Sequence, residues 1–224
     1  PSRSVVDQSI PKILAQIDPV WGGLGTGMKF PQVSVFRFLL QSGDPKAVEA
    51  ALKTCRRMMD GGIYDQVMGG CHRYAVDQEW LVPHFEKMLY DQAQLMELYL
   101  DAWQITGEQE FRQVVEGIAN YVLRDLTHPE GGFYCAQDAQ SEGKEGKCFC
   151  WTEGELSALL TADEMKVARE ILGVISLSFE NLDSVIHQGL KFSKVNFSLD
   201  LMMDASKSYL LTPITRTIVF PLGD

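Results

Sequence analysis

The sequence predicts an all-α chain built from helix hairpins, and three observations lead to this fold class. Apolar residues recur at helical spacing through most of the chain, whereas strand patterns are weak. The segment from His84 to Trp103 is apolar on more than one face, as an inner-layer helix is, while the segment from Glu108 to Leu126 has a single apolar stripe, as an outer-layer helix has. Gly-Gly pairs followed by apolar or aromatic residues recur at 22–24, 61–64 and 131–134, which indicates a loosely repeated helix hairpin.

The individual helices are predicted from apolar spacing and from their end signals. They cover residues 5–17, 31–40, 45–59, 83–105 and 108–126, and a further helix begins after Thr152. Asp44 is a predicted N-cap, with Pro45 at the first helical position. Pro83 is likewise interpreted as the first residue of the long inner helix, which places His84 in its first turn. Thr152 and Glu155 have the spacing of a capping box.

Composition excludes several classes of partner. The chain has 224 residues, a net charge of -10 and 46% hydrophobic residues, and no Lys/Arg-rich run stands out. Nucleic acids and anionic membranes both attract clustered cations, so neither is an expected partner. No apolar run approaches the roughly 18 residues of a membrane span.

The cysteines indicate free thiols rather than a framework of disulfides or a metal site. There are five, an odd number, with no CxxC pair and no spacing typical of a zinc module. We therefore expect no metal and no cofactor, and free thiols favour a cytoplasmic location. The chain begins at Pro1 rather than Met, so we expect a native N-terminal region to be missing, and secretion stays open.

The window from Gly61 to Gln92 holds most of the residues that indicate a function. It combines glycine pairs, aromatics, histidines and acids, a mixture that suits the rim of a ligand pocket. A helix hairpin with a satisfied polar network would give the same composition. The residues alone leave both interpretations open.

Long stretches of the chain closely resemble the spermatogenesis-associated protein 20 family. The matching runs are residues 21–31, 61–107, 121–143 and 145–152. The resemblance implies that residues 1–160 form a partial (α/α)6 toroid, similar to N-acylglucosamine 2-epimerases and six-hairpin glycosidases. It also implies that the family's N-terminal thioredoxin-like domain is absent. Residues 161–224 match nothing of the family and are predicted to be a separate tail with some helix. Met28 stands where a small residue or Pro is expected, and Gln140 where an acid is expected.

The resemblance implies carbohydrate-related catalysis linked to spermatogenesis, germ-cell differentiation or fertility. A sugar or amino sugar is the expected ligand, and two chemistries fit. His84 would be the base of an epimerase or isomerase, or Asp91 and Asp138 would be the carboxylate pair of a glycosidase. The expected substrate-binding residues are Asp65, Arg73, Tyr74, Trp80 and Glu142.

Other interpretations of the same residues stay open. Asp91 could simply pair with Arg73, and His84 could serve only to bond a loop carbonyl. Whether the chain is an enzyme is thus left open, and the alternative is a non-catalytic interaction or regulatory protein of the germ line. An incomplete ring exposes apolar helix faces, so we expect the isolated chain to be inactive. Either the tail after residue 160 covers part of these faces, or the chain self-associates.

Overall fold

The fold is known from a computed structural model that describes residues 3–166. The chain divides into two compact units, whose described parts are residues 3–65 with 69–139, and residues 66–68 with 140–166. Residues 167–224 of the predicted tail lie outside the described residues, so the predicted boundary at 160 and the helix content of the tail stay predictions.

The first unit is built from paired helices, as the sequence predicts. Its helices are α1 (Arg3–Leu14), α2 (Val33–Gln41), α3 (Pro45–Asp60), α4 (Leu89–Thr106) and α5 (Gln109–Asp125). Helix α2 packs against α3 and α4 packs against α5, while α2 and α4 also contact each other. Phe36, Leu39, Leu98, Tyr99 and Phe111 are completely buried in the core between these pairs. No helix of the described residues is long and apolar enough to cross a membrane.

The start of α3 is set by its cap, as predicted. The Asp44 side chain accepts hydrogen bonds from the backbone N–H groups of Lys46 and Ala47, both at 2.9 Å. Pro45 is the first helical residue. A backbone N–H at this position has no acceptor within the helix, so the missing N–H of proline costs no hydrogen bond. Helix α5 also lies within one residue of its predicted bounds, because its signals are local in sequence.

The start of α4 was predicted wrongly. The helix begins at Leu89 rather than Pro83, and the residues before it form two short strands, β2 (Pro83–His84) and β3 (Lys87–Met88). Burial alternates along this segment, since Pro83, Phe85 and Lys87 are buried while the residues between them are half-buried. Burial of every second residue is the pattern of a strand. Pairing with neighbouring segments therefore outweighs the tendency of Pro83 to begin a helix.

A small antiparallel sheet of three segments precedes α4. Strand β1 (Tyr74–Ala75) pairs with β2, with Tyr74 opposite His84 and Ala75 opposite Pro83. On its other side, Ala75 exchanges two backbone hydrogen bonds of 2.9 Å with Lys29. Lys29, Ala75 and Pro83 are all buried, so this face of the sheet packs on the helices. Strand β3 pairs separately with β4 (Ala136–Gln137).

Two glycine turns of the first unit have the same hydrogen-bonded structure. In each, an Asp is followed four residues later by a Gly-Gly pair, at Asp18 with Gly22-Gly23 and at Asp65 with Gly69-Gly70. The Asp N–H donates to the second glycine's carbonyl, and the first glycine's N–H donates to the Asp carbonyl, at 2.9–3.0 Å. All four glycines have positive φ, a conformation that favours glycine.

A buried lysine closes each of these turns. Lys29 Nζ lies 2.8 Å from Asp18 Oδ2 and 2.5 Å from the Gly22 carbonyl. Lys87 Nζ lies 2.7 Å from Asp65 Oδ2 and 3.0 Å from the Gly69 carbonyl. We call this arrangement the lysine-closed turn. Each ammonium is paired and hydrogen-bonded, which is what permits a charge to be buried.

The lysine-closed turns correct the predicted glycine repeat. The sequence predicts that Gly61-Gly62 is the equivalent of Gly22-Gly23. In the structure, Gly69-Gly70 is the pair with the same hydrogen bonds and positive φ angles as Gly22-Gly23. Neither Gly61 nor Gly62 has positive φ. These two are glycines because another backbone lies against them: a Cβ on Gly62 would be 2.0 Å from the Leu81 carbonyl oxygen. The predicted recurrence exists, but shifted by eight residues at its second position.

The second unit contains a hairpin and a capped helix. Strands β5 (Gln140–Ser141) and β6 (Lys144–Glu145) are joined by Glu142 and Gly143, both with positive φ, as a two-residue hairpin turn requires. Helix α6 (Glu153–Leu159) begins after Thr152, and the predicted capping box with Glu155 is confirmed.

Candidate functional site

The outer face of the three-segment sheet carries a row of stacked rings. Phe30 stacks on Tyr74 with ring centroids 4.6 Å apart, and Tyr74 stacks on His84 with centroids 4.9 Å apart. We call Phe30, Tyr74 and His84 the ring row. Because Tyr74 lies between two rings, its own faces are occupied and only its edge can meet a ligand. The stacking also fixes the plane of the His84 imidazole.

A β-bulge brings a carboxylate next to this imidazole. With Tyr74 opposite His84, an uninterrupted ladder would pair Arg73 with Phe85, yet the Arg73 N–H donates to the Glu86 carbonyl at 2.8 Å. One extra residue therefore lies in the second strand, and such bulges re-aim side chains. Glu86 Oε2 lies 3.9 Å from His84 Nε2 and 2.8 Å from Arg73 Nη1.

The proximity of His84 and Glu86 follows from the strand that replaces the predicted start of the helix. On a helix, two residues at this spacing would point about 200° apart. In an extended segment they point to the same side. The same change moves His84 out of the inner helix, whose first turn contains Asp91, so the two residues share no helix face.

Asp91 lies in the first turn of α4 and belongs to the same electrostatic cluster. Its Oδ2 is buried and has no hydrogen-bond partner within residues 3–166. Burial raises the pKa of Asp91 to about 6; Glu86 adds to this rise and Arg73 opposes it. We call Arg73, Glu86 and Asp91 the polar cluster. The Arg73 guanidinium pairs with Glu86 rather than forming the predicted alternative pair with Asp91.

Asp91 makes a testable contribution to the pH dependence of stability. Its pKa is raised from 3.8 to about 6, so ionisation of the folded protein is penalised relative to the unfolded chain. The penalty is absent below pH 4 and develops fully as the pH rises through 6. We expect Asp91→Asn to gain stability relative to the parent chain between pH 4 and pH 7, measured by urea unfolding. The two proteins differ only at this carboxyl group, so an unchanged stability difference between the two pH values would contradict the assignment.

Two predicted substrate-binding residues lie in the protein interior instead. Asp65 is completely buried in its lysine-closed turn, where Lys87 holds it. Trp80 is also completely buried, and its indole N–H donates to the Trp21 carbonyl at 3.0 Å. Its ring packs beside Gly23, where an added Cβ would be 2.6 Å from the indole. Trp80 is therefore a core ring and offers no face to a sugar.

The remaining predicted residues lie elsewhere. Asp138 is exposed and directly follows β4; because Gln137 pairs with Lys87, the chain at Asp138 runs toward Glu86. Glu142 belongs to the second unit, where it forms the tip of the β5–β6 hairpin and pairs with Lys147. Among residues 3–166, no group of three or more His, Cys, Asp and Glu side chains could hold a metal ion.

Sequence reasoning missed Phe30 and Glu86 as site residues. Both join the cluster through pairing between segments far apart in the chain, since Phe30 reaches Tyr74 across the bridge at Lys29. The alternation of apolar and polar residues from Pro83 to Glu86 was the available signal for Glu86.

Comparisons with known proteins agree with the family resemblance. The chain is 43% identical to spermatogenesis-associated protein 20 of Rattus norvegicus in an alignment of 158 residues that covers 64% of this chain and 20% of that protein. The human protein of the same name gives 43% identity over 157 residues, 64% of this chain and 20% of that protein. An uncharacterised protein of Caenorhabditis elegans is 35% identical over 187 residues, 76% of this chain and 25% of that protein. The chain thus spans about a fifth to a quarter of the length of these relatives. No protein-family model matches the chain.

Solved structures share its fold. A sugar epimerase from a ruminal bacterium superposes with a TM-score of 0.51 at 15% identity, covering 61% of this chain and 40% of that one. Cellobiose 2-epimerase from Spirochaeta thermophila gives a TM-score of 0.50 at 22% identity, covering 61% and 39%. At these identities the likeness establishes the fold alone. By sequence the chain resembles spermatogenesis-associated protein 20 over 64% of its length, and by fold it is a partial (α/α)6 toroid.

Proposed function

We propose that the ring row and the polar cluster form a sugar site of the epimerase or isomerase type, with His84 as the proton-transfer group. The observation that carries this proposal is the held imidazole: His84 is stacked on Tyr74 and has Glu86 at 3.9 Å. A base that abstracts a proton next to a carbonyl must be held in a fixed orientation, and a neighbouring carboxylate stabilises its protonated form.

The polar cluster supplies the groups that would orient a sugar. Arg73 and Glu86 offer a donor and an acceptor for hydroxyl groups, and the edge of Tyr74 offers a hydroxyl. The raised pKa of Asp91 allows this carboxyl to exist as a neutral acid near pH 6. A neutral carboxyl group of this kind can donate a proton in proton-transfer chemistry.

The isomerase chemistry is favoured over the glycosidase chemistry by one observation. A glycosidase requires two carboxylates across the scissile bond. Asp91 lies beside Glu86 and Arg73, whereas Asp138 lies on an exposed strand end. His84, by contrast, is already stacked on Tyr74 and lies close to Glu86. Two proteins of similar fold, a sugar epimerase and a cellobiose 2-epimerase, support the same chemistry.

Sugar binding by this chain is the measurement that tests the proposal. We expect glucose, N-acetylglucosamine or cellobiose to shift the NMR signals of the His84 ring, with a Kd of about a millimolar. His84→Ala should weaken binding at least about tenfold while leaving the helical circular dichroism unchanged. His128→Ala is the matched control, because His128 packs on Tyr134 in another loop, and it should bind like the parent chain.

Turnover is a separate measurement, followed as deuterium uptake at C2 of the sugar. We do not expect it from the isolated chain, because catalysis requires that the substrate be held from several sides. Sugars that leave the His84 signals unmoved would overturn the proposal and favour a non-catalytic interaction or regulatory protein of the germ line. Full sugar binding by His84→Ala would remove His84 from the site.

A further inference from the structure

A second row of side chains lies beside the ring row on the same face of the sheet. Each strand places every second residue on one face, so Met28, Val76 and Val82 share the face of Phe30, Tyr74 and His84. The Val76 N–H donates to the Val82 carbonyl at 2.9 Å, which extends the pairing to this row. We call Met28, Val76 and Val82 the aliphatic row.

The aliphatic row is open to solvent although it is apolar. Met28 is 57% exposed and Val76 is 38% exposed, while Val82 is half-buried. Phe30, at the neighbouring end of the ring row, is 41% exposed. Exposed apolar residues are ordinary one at a time. Here they lie side by side on one face of the sheet, next to the ring row.

The face changes in character from one end to the other. Arg73 and Glu86 lie past the ring row on one side, and the aliphatic row lies on the opposite side. Neighbouring rows are two residues apart along the strands, which is about 7 Å. A ligand that spans the face therefore meets charged groups first, then ring edges, and then only hydrocarbon.

We propose that the aliphatic row is a subsite for an apolar substituent on the sugar, so that the ligand is an alkyl or aryl glycoside or another sugar carrying an apolar group. This inference rests on the proposed sugar site. A bare sugar is polar around its rim and would leave the aliphatic row uncovered, whereas a substituent reaching one row further removes that hydrocarbon from water. Met28, the residue that departs from the small residue or Pro expected there, is the most exposed member of the row.

A matched pair of glycosides tests the subsite. Methyl and hexyl β-D-glucopyranoside differ only in the alkyl chain, and both remain monomeric at low millimolar concentration. We expect the parent chain to bind the hexyl glycoside at least about tenfold more tightly, since each buried methylene contributes favourably. The variant Met28→Gln/Val76→Thr keeps side-chain size and strand propensity, and it should lose this preference while binding the methyl glycoside unchanged.

The outcomes separate this inference from the proposed function. Equal binding of the two glycosides by the parent chain would overturn the subsite and leave the sugar site standing. If the parent chain binds neither glycoside, both proposals are overturned. If the double variant still prefers the hexyl glycoside, the hexyl chain binds elsewhere and the subsite is overturned. A dimer seen by light scattering that the double variant converts to monomer would assign the row to a second copy of this chain instead.

Discussion

Lys87→Met lowers the free energy of unfolding by about 3–5 kcal/mol, because it leaves the Asp65 carboxylate buried without a partner. Lys87 and Asp65 are 1% and 0% exposed, and their charged atoms are 2.7 Å apart. The variant also removes the hydrogen bond to the Gly69 carbonyl and the contact of the ammonium with the Tyr121 ring, 4.4 Å from its centroid. Urea unfolding at pH 7 measures the loss.

The control for this variant is an exposed ion pair. Arg112 and Glu116 are 52% and 53% exposed, so Arg112→Met should cost at most about 1 kcal/mol. The double variant Asp65→Leu/Lys87→Met removes both charges and should recover much of the loss, since no uncompensated charge remains. A Lys87→Met variant no less stable than Arg112→Met would show that the lysine-closed turn does not depend on its ion pair.

Trp80→Ala is expected to lower the free energy of unfolding by about 3–5 kcal/mol, the range for removing a large buried ring. The indole fills space beside Gly23, lies 5.8 Å from Lys29 Nζ, and donates to the Trp21 carbonyl. Its loss leaves a cavity behind the first lysine-closed turn and an unpaired carbonyl. Thermal and urea unfolding of the variant check the magnitude.

Two comparisons make the Trp80 result specific. Phe133 is 58% exposed, so Phe133→Ala should change stability by less than about 0.5 kcal/mol. Trp80→Phe keeps much of the ring and should lose less than Trp80→Ala. A folded Trp80→Ala chain with unchanged stability but weaker sugar binding would restore Trp80 to the binding residues predicted from sequence.

The helices could be predicted from the sequence because their signals are local. Asp44 caps α3 through residues two and three positions away, and Thr152 caps α6 through Glu155. The sheet could not be predicted in the same way. Its strands are two residues long and are held by partners far along the chain, such as Lys29 with Ala75. No periodic pattern can accumulate over so few residues.

Only part of the candidate site could be predicted, because its residues are also brought together by pairing between segments far apart in the chain. Composition singled out the segment from Gly61 to Gln92, and Arg73, Tyr74 and His84 of this segment do lie near one another. Composition could not separate groups that face solvent from groups that hold the loops together. Asp65 and Trp80 were therefore assigned to a ligand although they are buried within the protein.

The lysine-closed turns also set an order for folding during synthesis. Each turn is completed by a lysine that emerges later from the ribosome, 11 residues after Asp18 in the first turn and 22 residues after Asp65 in the second. Until that lysine arrives, the aspartate cannot leave water without a penalty, so the turn stays open. Each loop then closes only when the chain has grown toward the following helix. We therefore expect the two turns to form in chain order, the first before the second.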